Sequence, residues 1–276
     1  MDEITLPGPA KPLPSSQVSP TPASPPPAAD GPGRRAPREL SGSRGTAWWT
    51  EGWQVFMAAP GTWIGLVLLM FVIVVAMAFV PILGTIAQSV LAPVFAGGIA
   101  LGAHALARGK PLTVGHLFEG FSAGRFLPLV IVGLFYLAAA FVFWLVFIVL
   151  VLGMAGGAGL FSALTSGGAN GWAHVLASVG VAALVFVPIA MIGFALIAMA
   201  YWYAPALVVL NGEEPIEAMK KSFRACWRNM GAMLIYGLVF IALSIVASLP
   251  FGLGWIVLAP VLAGSWYASW RETFDA

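Results

Sequence analysis

No Asp, Glu, Lys or Arg occurs between Arg125 and Glu213, and this uncharged run restricts the possible folds more than any other feature of the chain. A soluble surface needs about a quarter of its residues charged. Here only 9% of residues are charged and 60% are hydrophobic. Lipid solvates such a run and water does not. The sequence therefore predicts an all-α, polytopic membrane protein.

Six apolar stretches are long enough to cross a bilayer, and Pro/Gly-containing or short polar connections pair them into three hairpins. The fourth apolar run has 39 residues, from Trp172 to Leu210. A single straight helix of that length would measure roughly 58 Å, nearly twice the bilayer core. Tyr203 and Pro205 favour a helix break, so we interpret the run as one span with an interfacial extension; two spans are the alternative. The predicted spans are about 62–80, 86–107, 126–152, 175–203, 231–249 and 253–270.

The cations distinguish six spans from seven. With six spans, all 13 Lys and Arg residues lie on one side of the membrane. The positive-inside rule makes that side cytoplasmic. A seventh span would place Arg271 on the opposite side from Arg108. We therefore expect a multi-pass protein of the bacterial cytoplasmic (inner) membrane with both termini in the cytoplasm.

Residues 1–45 differ in composition from the rest of the chain, because they contain 11 of its 21 prolines. Such a stretch buries too little apolar surface to offset the entropy of ordering. It is predicted to be a disordered Pro/Ala-rich cytoplasmic tail, and residues 46–276 form the membrane domain. No signal peptide is recognisable after the N-terminus, so we expect the first span to direct membrane insertion.

The stretch from Asn211 to Met230 predicts an amphipathic helix that begins near Pro215 and lies on the cytoplasmic membrane surface. Its apolar stripe consists of Ile216, Met219, Phe223, Trp227 and Met230. Its charged stripe consists of Glu217, Lys220, Lys221, Arg224 and Arg228. Two other aromatic-bearing segments precede the first and second hairpins, at 46–63 and 108–125. The residues predicted to contact anionic lipid headgroups are Lys220, Lys221, Arg224, Arg228, Phe223 and Trp227.

An eight-residue sequence motif occurs twice, with seven of its eight positions identical. VLAPVFAG at 90–97 recurs as VLAPVLAG at 257–264, each time in the second helix of a hairpin. A proline bends a spanning helix, and a following glycine allows close packing of a neighbour. We expect a repeat of hairpins one and three, and for hairpin two the question stays open. The predicted kink and packing residues are Pro93, Gly97, Pro260 and Gly264, with a weaker echo at Pro188 and Gly193.

The sequence lacks the groups that catalysis or metal binding requires. None of the six predicted spans has an ionisable residue at its centre, and Cys226 is the only cysteine. The histidines are predicted to occupy different layers, and the aspartates lie only near the ends of the chain. We expect no enzyme activity, no cofactor, no metal and no nucleic-acid binding. The residues concerned are His104, His116, His174, Asp2, Asp30 and Asp275.

Several phrases resemble an uncharacterised family of proteobacterial multi-pass inner-membrane proteins. They include GWQVF at 52–56, GHLFEGF at 115–121, YAPALVVLNG at 203–212 and PIEAMKKSFRACWRN at 215–229. More distantly, the last two are similar to the membrane domain of some glycerophosphodiester phosphodiesterases. The resemblance covers residues 46–276 and implies a six-span inner-membrane protein. It implies no catalytic residues.

These features favour a non-catalytic structural, lipid-associated or partner-binding protein with an unknown protein partner. The alternative is a permease or channel for a small solute. A continuous polar path through the bundle would favour that alternative, and a dry centre would favour the first class. The residues that would line such a path are Gln88, Ser89, Ser244 and Ser248.

Overall fold

The structure, a computed structural model, describes residues 36–155, 165 and 168–275. Every regular element within these residues is helical, as the composition predicts. The predicted tail up to residue 35 lies outside the described residues, as do residues 156–164, 166 and 167 between the predicted third and fourth spans. The elements are α1 (Arg44–Ala58), α2 (Pro60–Ala78), α3 (Pro81–Ala107), a 3₁₀ helix (Val114–Phe121), α4 (Phe126–Ala155), α5 (Gly168–Trp202), α6 (Ala204–Asn211), α7 (Pro215–Arg228), α8 (Met230–Ser248), α9 (Trp255–Trp270) and a π-helical turn (Arg271–Asp275).

Within the part of the chain that the structure describes, five stretches of helix are long and apolar enough to cross a membrane, which makes the chain a multi-pass membrane protein. They are Pro60–Ala78, Pro81–Ala107, Phe126–Leu150, Leu184–Asn211 and Met230–Ser248. The sixth predicted span, 253–270, contains α9. That helix has 16 residues. It therefore rises about 24 Å, less than the roughly 30 Å of a bilayer core.

Prolines set several of these boundaries. Pro60 and Pro81 stand in the first turn of α2 and α3, where a missing N–H costs nothing. The connection predicted at 81–85 is therefore helical, and α3 begins five residues earlier than its sequence pattern suggested. The break predicted at Tyr203 to Pro205 is present, since α5 ends at Trp202 and α6 begins at Ala204.

Consecutive long helices contact each other as α2 with α3, α4 with α5, and α8 with α9. Three shorter helical elements each pack against the second helix of one pair. Helix α1 lies on α9, the 3₁₀ helix lies on α3, and α7 lies on α5. Near its C-terminal end α9 contacts the ends of both α3 and α5, since His104 Nδ1 lies 2.9 Å from the Tyr267 hydroxyl and the Trp266 indole N–H donates to the Trp202 carbonyl over 2.8 Å.

Small residues allow these close approaches. A Cβ added at Gly52 of α1 would lie 2.5 Å from the carbonyl oxygen of Val261 and 2.6 Å from the amide nitrogen of Ser265, both in α9. A Cβ added at Gly120 of the 3₁₀ helix would collide with the carbonyl oxygen of Val94 in α3. Val94 and Val261 hold the same position in the duplicated phrase, so the two copies make the same contact.

Candidate lipid-contact site on helix α7

Helix α7 has clear sequence signals at both ends. Gly212 closes the preceding helix in the left-handed conformation, with φ of 68°. Glu214 is extended, and Pro215 occupies the first turn. Glu217 lies in the first turn and Arg228 in the last, so both charges interact favourably with the helix dipole. These signals explain why the helix is confined to Pro215–Arg228.

The face of α7 that packs on the rest of the protein consists of small residues. The buried residues of the helix are Ala218, Ser222, Ala225 and Cys226, and Asn229 follows them at 2% exposure. Burial raises the pKa of the Cys226 thiol to about 12. The predicted apolar stripe is only partly covered by protein: Ile216 is 51% exposed and Trp227 is 57% exposed, whereas Met219 is half-buried and packs against the core.

Ser222 holds α7 against α5 by entering the hydrogen-bond ladder of α5. The Tyr203 N–H donates to Ser222 Oγ over 2.8 Å, and Ser222 Oγ donates to the Met199 carbonyl over 2.6 Å. In a regular α-helix the Tyr203 N–H would donate directly to that carbonyl. The inserted hydroxyl lies where α5 ends, and insertion of this kind is a recognised cause of helix bending.

The outer surface of α7 combines cations with two aromatic rings, of which Trp227 is exposed and Phe223 is half-buried. Phe223 and Trp227 are one turn apart and stack, with ring centroids 6.0 Å apart and planes at 19°. Ile216 continues this apolar strip toward the start of the helix. An exposed strip of large apolar side chains beside cations is typical of a surface that contacts lipid or a partner protein.

The four predicted lipid-contact cations are not equivalent. Lys220 is 2.8 Å from Glu217, and this lysine holds the pKa of that carboxyl below its usual value. Lys221 is partly buried and pairs with Glu213. Half of the predicted cations are therefore already neutralised by carboxylates of the same segment.

Arg224 and Arg228 are the cations left available. Arg228 meets Glu39 at 3.5 Å, and both side chains are largely exposed. Exposed pairs of this kind contribute little to stability. Arg224 forms no ion pair with any residue between 36 and 155 or between 168 and 275. Since they are four positions apart, the two guanidinium groups project from the same side of α7.

Two clefts meet at Phe223 and Arg224. The first has a volume of about 390 Å³ and is lined by cations and by the Trp227 ring, with Ala36 and Pro37 as its far wall. The second has a volume of about 400 Å³ and leads toward the long helices. Its lining is largely apolar and includes Phe135 of α4, Ala200 of α5, and Ile216 and Met219 of α7.

The segment before α1 is fixed across this surface by Asn229. Its side-chain amide donates to the Arg38 carbonyl over 2.9 Å, and its oxygen accepts the Leu40 N–H over 2.7 Å. The Arg38 N–H donates to the Thr273 carbonyl near the C-terminus. The sequence pattern did not identify Asn229, because one amide after a helix carries no periodic signal.

The predicted kink and packing residues occupy different environments. Pro93 and Pro260 are buried, whereas Pro188 is exposed. Gly97 packs under Leu129 and Val209, and Gly193 lies under the Phe143 ring. Gly264 packs on Gly52 of α1. Each of the three glycines thus lies at a helix contact, but Pro188 does not share the burial of the other two prolines.

An ion-pair network joins α1 to the C-terminal turn, and the sequence pattern did not reveal it. Arg44 contacts Glu51 at 2.6 Å and Glu272 at 2.7 Å. The Trp48 N–H also donates to Glu272 over 2.7 Å. The hydrogen bond to Glu272 raises the pKa of Arg44. Charges 228 positions apart in sequence give no local pattern that would predict their pairing.

The predicted histidine positions do not converge in the described part of the chain. His104 Nδ1 lies 2.9 Å from the Tyr267 hydroxyl, and His116 contacts Thr113. The side chain of His174 lies outside the described residues. Among the residues that the structure describes, no three His, Cys, Asp or Glu side chains form a group that would hold a metal ion.

Comparison with known proteins gives a significant relative. The chain is 28% identical over 235 residues to a "Probable inner membrane protein" of Burkholderia thailandensis, and the match covers 83% of each chain. No family model matches the chain, and no solved structure matches it significantly. The relative and the apolar helices support an inner-membrane protein family. They lend no support to the similarity with glycerophosphodiester phosphodiesterases.

Proposed function

We propose that this chain is a six-span protein of the bacterial inner membrane with both termini in the cytoplasm. In this proposal it acts without catalysis as a lipid-associated component. Helix α7 lies among anionic headgroups and α9 is the sixth span. The observation that carries the proposal is an apolar strip of the exposed Ile216 and Trp227 and the half-buried Phe223, which lies beside Arg224 and Arg228.

The contacts between distant parts of the chain support an even number of crossings. The Arg44–Glu272 ion pair joins the segment before the first span to the segment after α9, so both lie on one side. Asn229 and Leu40 are likewise bonded. With five spans alone, the two termini would lie on opposite sides of the membrane. A sixth crossing, by α9, places both termini on the same side.

The short length of α9 is compatible with a spanning role because the helix is largely enclosed by protein. It contacts α1, α2, α3 and α8, and its buried residues extend from Leu258 to Trp270. An enclosed helix need not match the thickness of the lipid, and a short span is accommodated at modest cost.

The pairing of Lys220 and Lys221 lowers the electrostatic attraction that we expect from α7. Each cation near an anionic surface contributes about 1 kcal/mol. Arg224 and Arg228 would therefore supply about 2 kcal/mol, about half of what four free cations would give. The remaining attraction comes from the apolar strip.

Three of the four polar residues considered for a permease do not favour that alternative; the fourth, Ser244, has a buried hydroxyl with no hydrogen-bond partner among the described residues. Ser89 donates to the Thr85 carbonyl and Ser248 donates to the Ser244 carbonyl, each one turn back in its own helix. Gln88 is exposed on the surface of α3. These bonds satisfy the two hydroxyl donors locally, so they do not support a shared polar path.

Cysteine labelling tests the orientation. We expect Lys220→Cys and Arg108→Cys to react with a membrane-impermeant maleimide only in inverted vesicles. Thr165→Cys, in the loop between the third and fourth spans, should react in intact spheroplasts. The native Cys226 is buried and gives a low background. Labelling of position 220 from outside the cell would refute the six-span arrangement.

The depth of α7 tests its lipid association. In nanodiscs, quenchers attached to lipids at headgroup depth should quench a fluorophore at position 227 more strongly than quenchers at the end of the acyl chain. A fluorophore quenched equally by a water-soluble quencher with and without lipid would contradict the proposal.

A further inference from the structure

We propose that the two clefts beside α7 form one binding site for a single anionic glycerophospholipid. Its phosphate lies between Arg224 and Arg228, and one acyl chain enters the apolar cleft between α4, α5 and α7. This inference rests on the proposed interfacial position of α7, and it adds a discrete site of defined chemistry.

The polar part of the site matches a phosphate group. Arg224 and Arg228 project from one side of the helix, and both line the first cleft. Guanidinium groups bind phosphate oxygens through paired N–H donors. The opposite wall, Ala36 and Pro37, belongs to the segment that Asn229 holds in place. Among the described residues no carboxylate lines this cleft, so none of its lining side chains repels an anion.

The apolar part of the site begins where the polar part ends. Phe223 and Arg224 line both clefts, so a molecule with its phosphate at Arg224 extends directly into the second cleft. Ala200 lies one turn before the end of α5, and Phe135 lies roughly 14 Å along α4 from Phe126. The second cleft thus leads from the surface toward membrane depth.

The combination selects one occupant. A free phosphate ion would use the arginines but leave the apolar cleft unfilled. A neutral or zwitterionic lipid would fill the apolar cleft but gain less from Arg224 and from Arg228, whose pairing with Glu39 is exposed to solvent. An anionic phospholipid satisfies both parts, and the small side chain of Ala200 leaves room for its chain.

Native mass spectrometry of the purified full-length protein in mild detergent tests this site. Phosphatidylglycerol and phosphatidylcholine with identical acyl chains are the probes. We expect the first bound lipid to be phosphatidylglycerol in preference. Arg224→Gln should weaken its binding about fivefold, and the double variant with Arg228→Gln about twenty-fivefold.

Arg108→Gln is the matched control, since it removes one cation from the predicted cytoplasmic side but outside both clefts. It should leave binding unchanged. Filling the apolar cleft with Ala200→Phe should weaken binding while both arginines are retained. Because this change could disturb packing, its melting temperature in lipid-free detergent is compared with that of the wild type. The arginine variants, which alter exposed side chains, test the site independently.

Three results would overturn the inference. They are equal retention of the two lipids, equal loss of binding in Arg108→Gln, and full displacement of the lipid by glycerophosphoglycerol without acyl chains. The last result would identify a simple anion site. If α7 lies at headgroup depth but no lipid is preferred, only this inference fails. If α7 lies away from the interface, the proposed function fails with it.

Discussion

Replacement of Gly52 by alanine tests how closely α1 approaches α9. The new Cβ would lie 2.5 Å from the Val261 carbonyl oxygen and 2.8 Å from the Ser265 Cβ. These neighbours are backbone atoms or a Cβ, which no rotamer change can move. The two helices must therefore separate.

The expected cost follows from two opposing terms. Overpacking of this kind typically costs about 1–3 kcal/mol, and the rigid neighbours place Gly52→Ala near the upper end. Alanine regains about 0.5–1 kcal/mol of helix stability over glycine. We expect a net destabilisation of about 2 kcal/mol, or a melting temperature lowered by roughly 4–8 °C.

Thermal denaturation of the detergent-solubilised full chain, followed by size-exclusion chromatography, measures this shift. Gly237→Ala in α8 is the control, because nothing described lies within 4 Å of a Cβ at that position. It should raise the melting temperature slightly. If both variants melt at or above the wild-type temperature, the close contact between α1 and α9 is wrong.

Three further changes test the surroundings of α7. Ser222→Ala should cost about 1–3 kcal/mol in thermal denaturation because it leaves the buried Tyr203 N–H without its acceptor; an unchanged melting temperature would mean that the α5 ladder closes directly. Since the pKa of the Cys226 thiol is raised to about 12, its alkylation at pH 7.5 should be about 10³ times slower than in SDS and rise tenfold per pH unit. Rapid alkylation at pH 7.5 would contradict the burial. Asn229→Ala should release the preceding segment and accelerate tryptic cleavage after Arg38, and equal cleavage rates would show that other contacts hold it.

The long helices and their ends were predictable because hydropathy and proline act locally. Pro215 marks the observed start of α7, and the break before Pro205 is present. Local signals also explain the shifted start of α3 at Pro81, because a proline that can end one helix can equally begin the next.

The orientation of α7 could not be derived in the same way. Its large apolar stripe was visible, but a periodic pattern does not say whether lipid or protein covers that stripe. The structure packs the protein against Ala218, Ser222 and Ala225, whose small side chains add little to any hydrophobic pattern. Two helix backbones approach closely where the side chains are small, and small side chains give only a weak signal in a hydrophobic pattern.

Three short helical elements, α1, the 3₁₀ helix and α7, each bring one small residue against the backbone of a partner helix. Each element contains a charged, a small and an aromatic residue in consecutive order, at 51–53, 119–121 and 221–223. The small residue meets the backbone of the partner helix in every case: Gly52 at Val261, Gly120 at Val94, and Ser222 between Met199 and Tyr203. At two of these contacts the small residue is a glycine, and the backbone hydrogen bonds of the partner helices α9 and α3 are not interrupted by an inserted side chain. The third uses a hydroxyl, which is inserted into the hydrogen-bond ladder of α5, and this insertion together with Pro205 accounts for the break between α5 and α6.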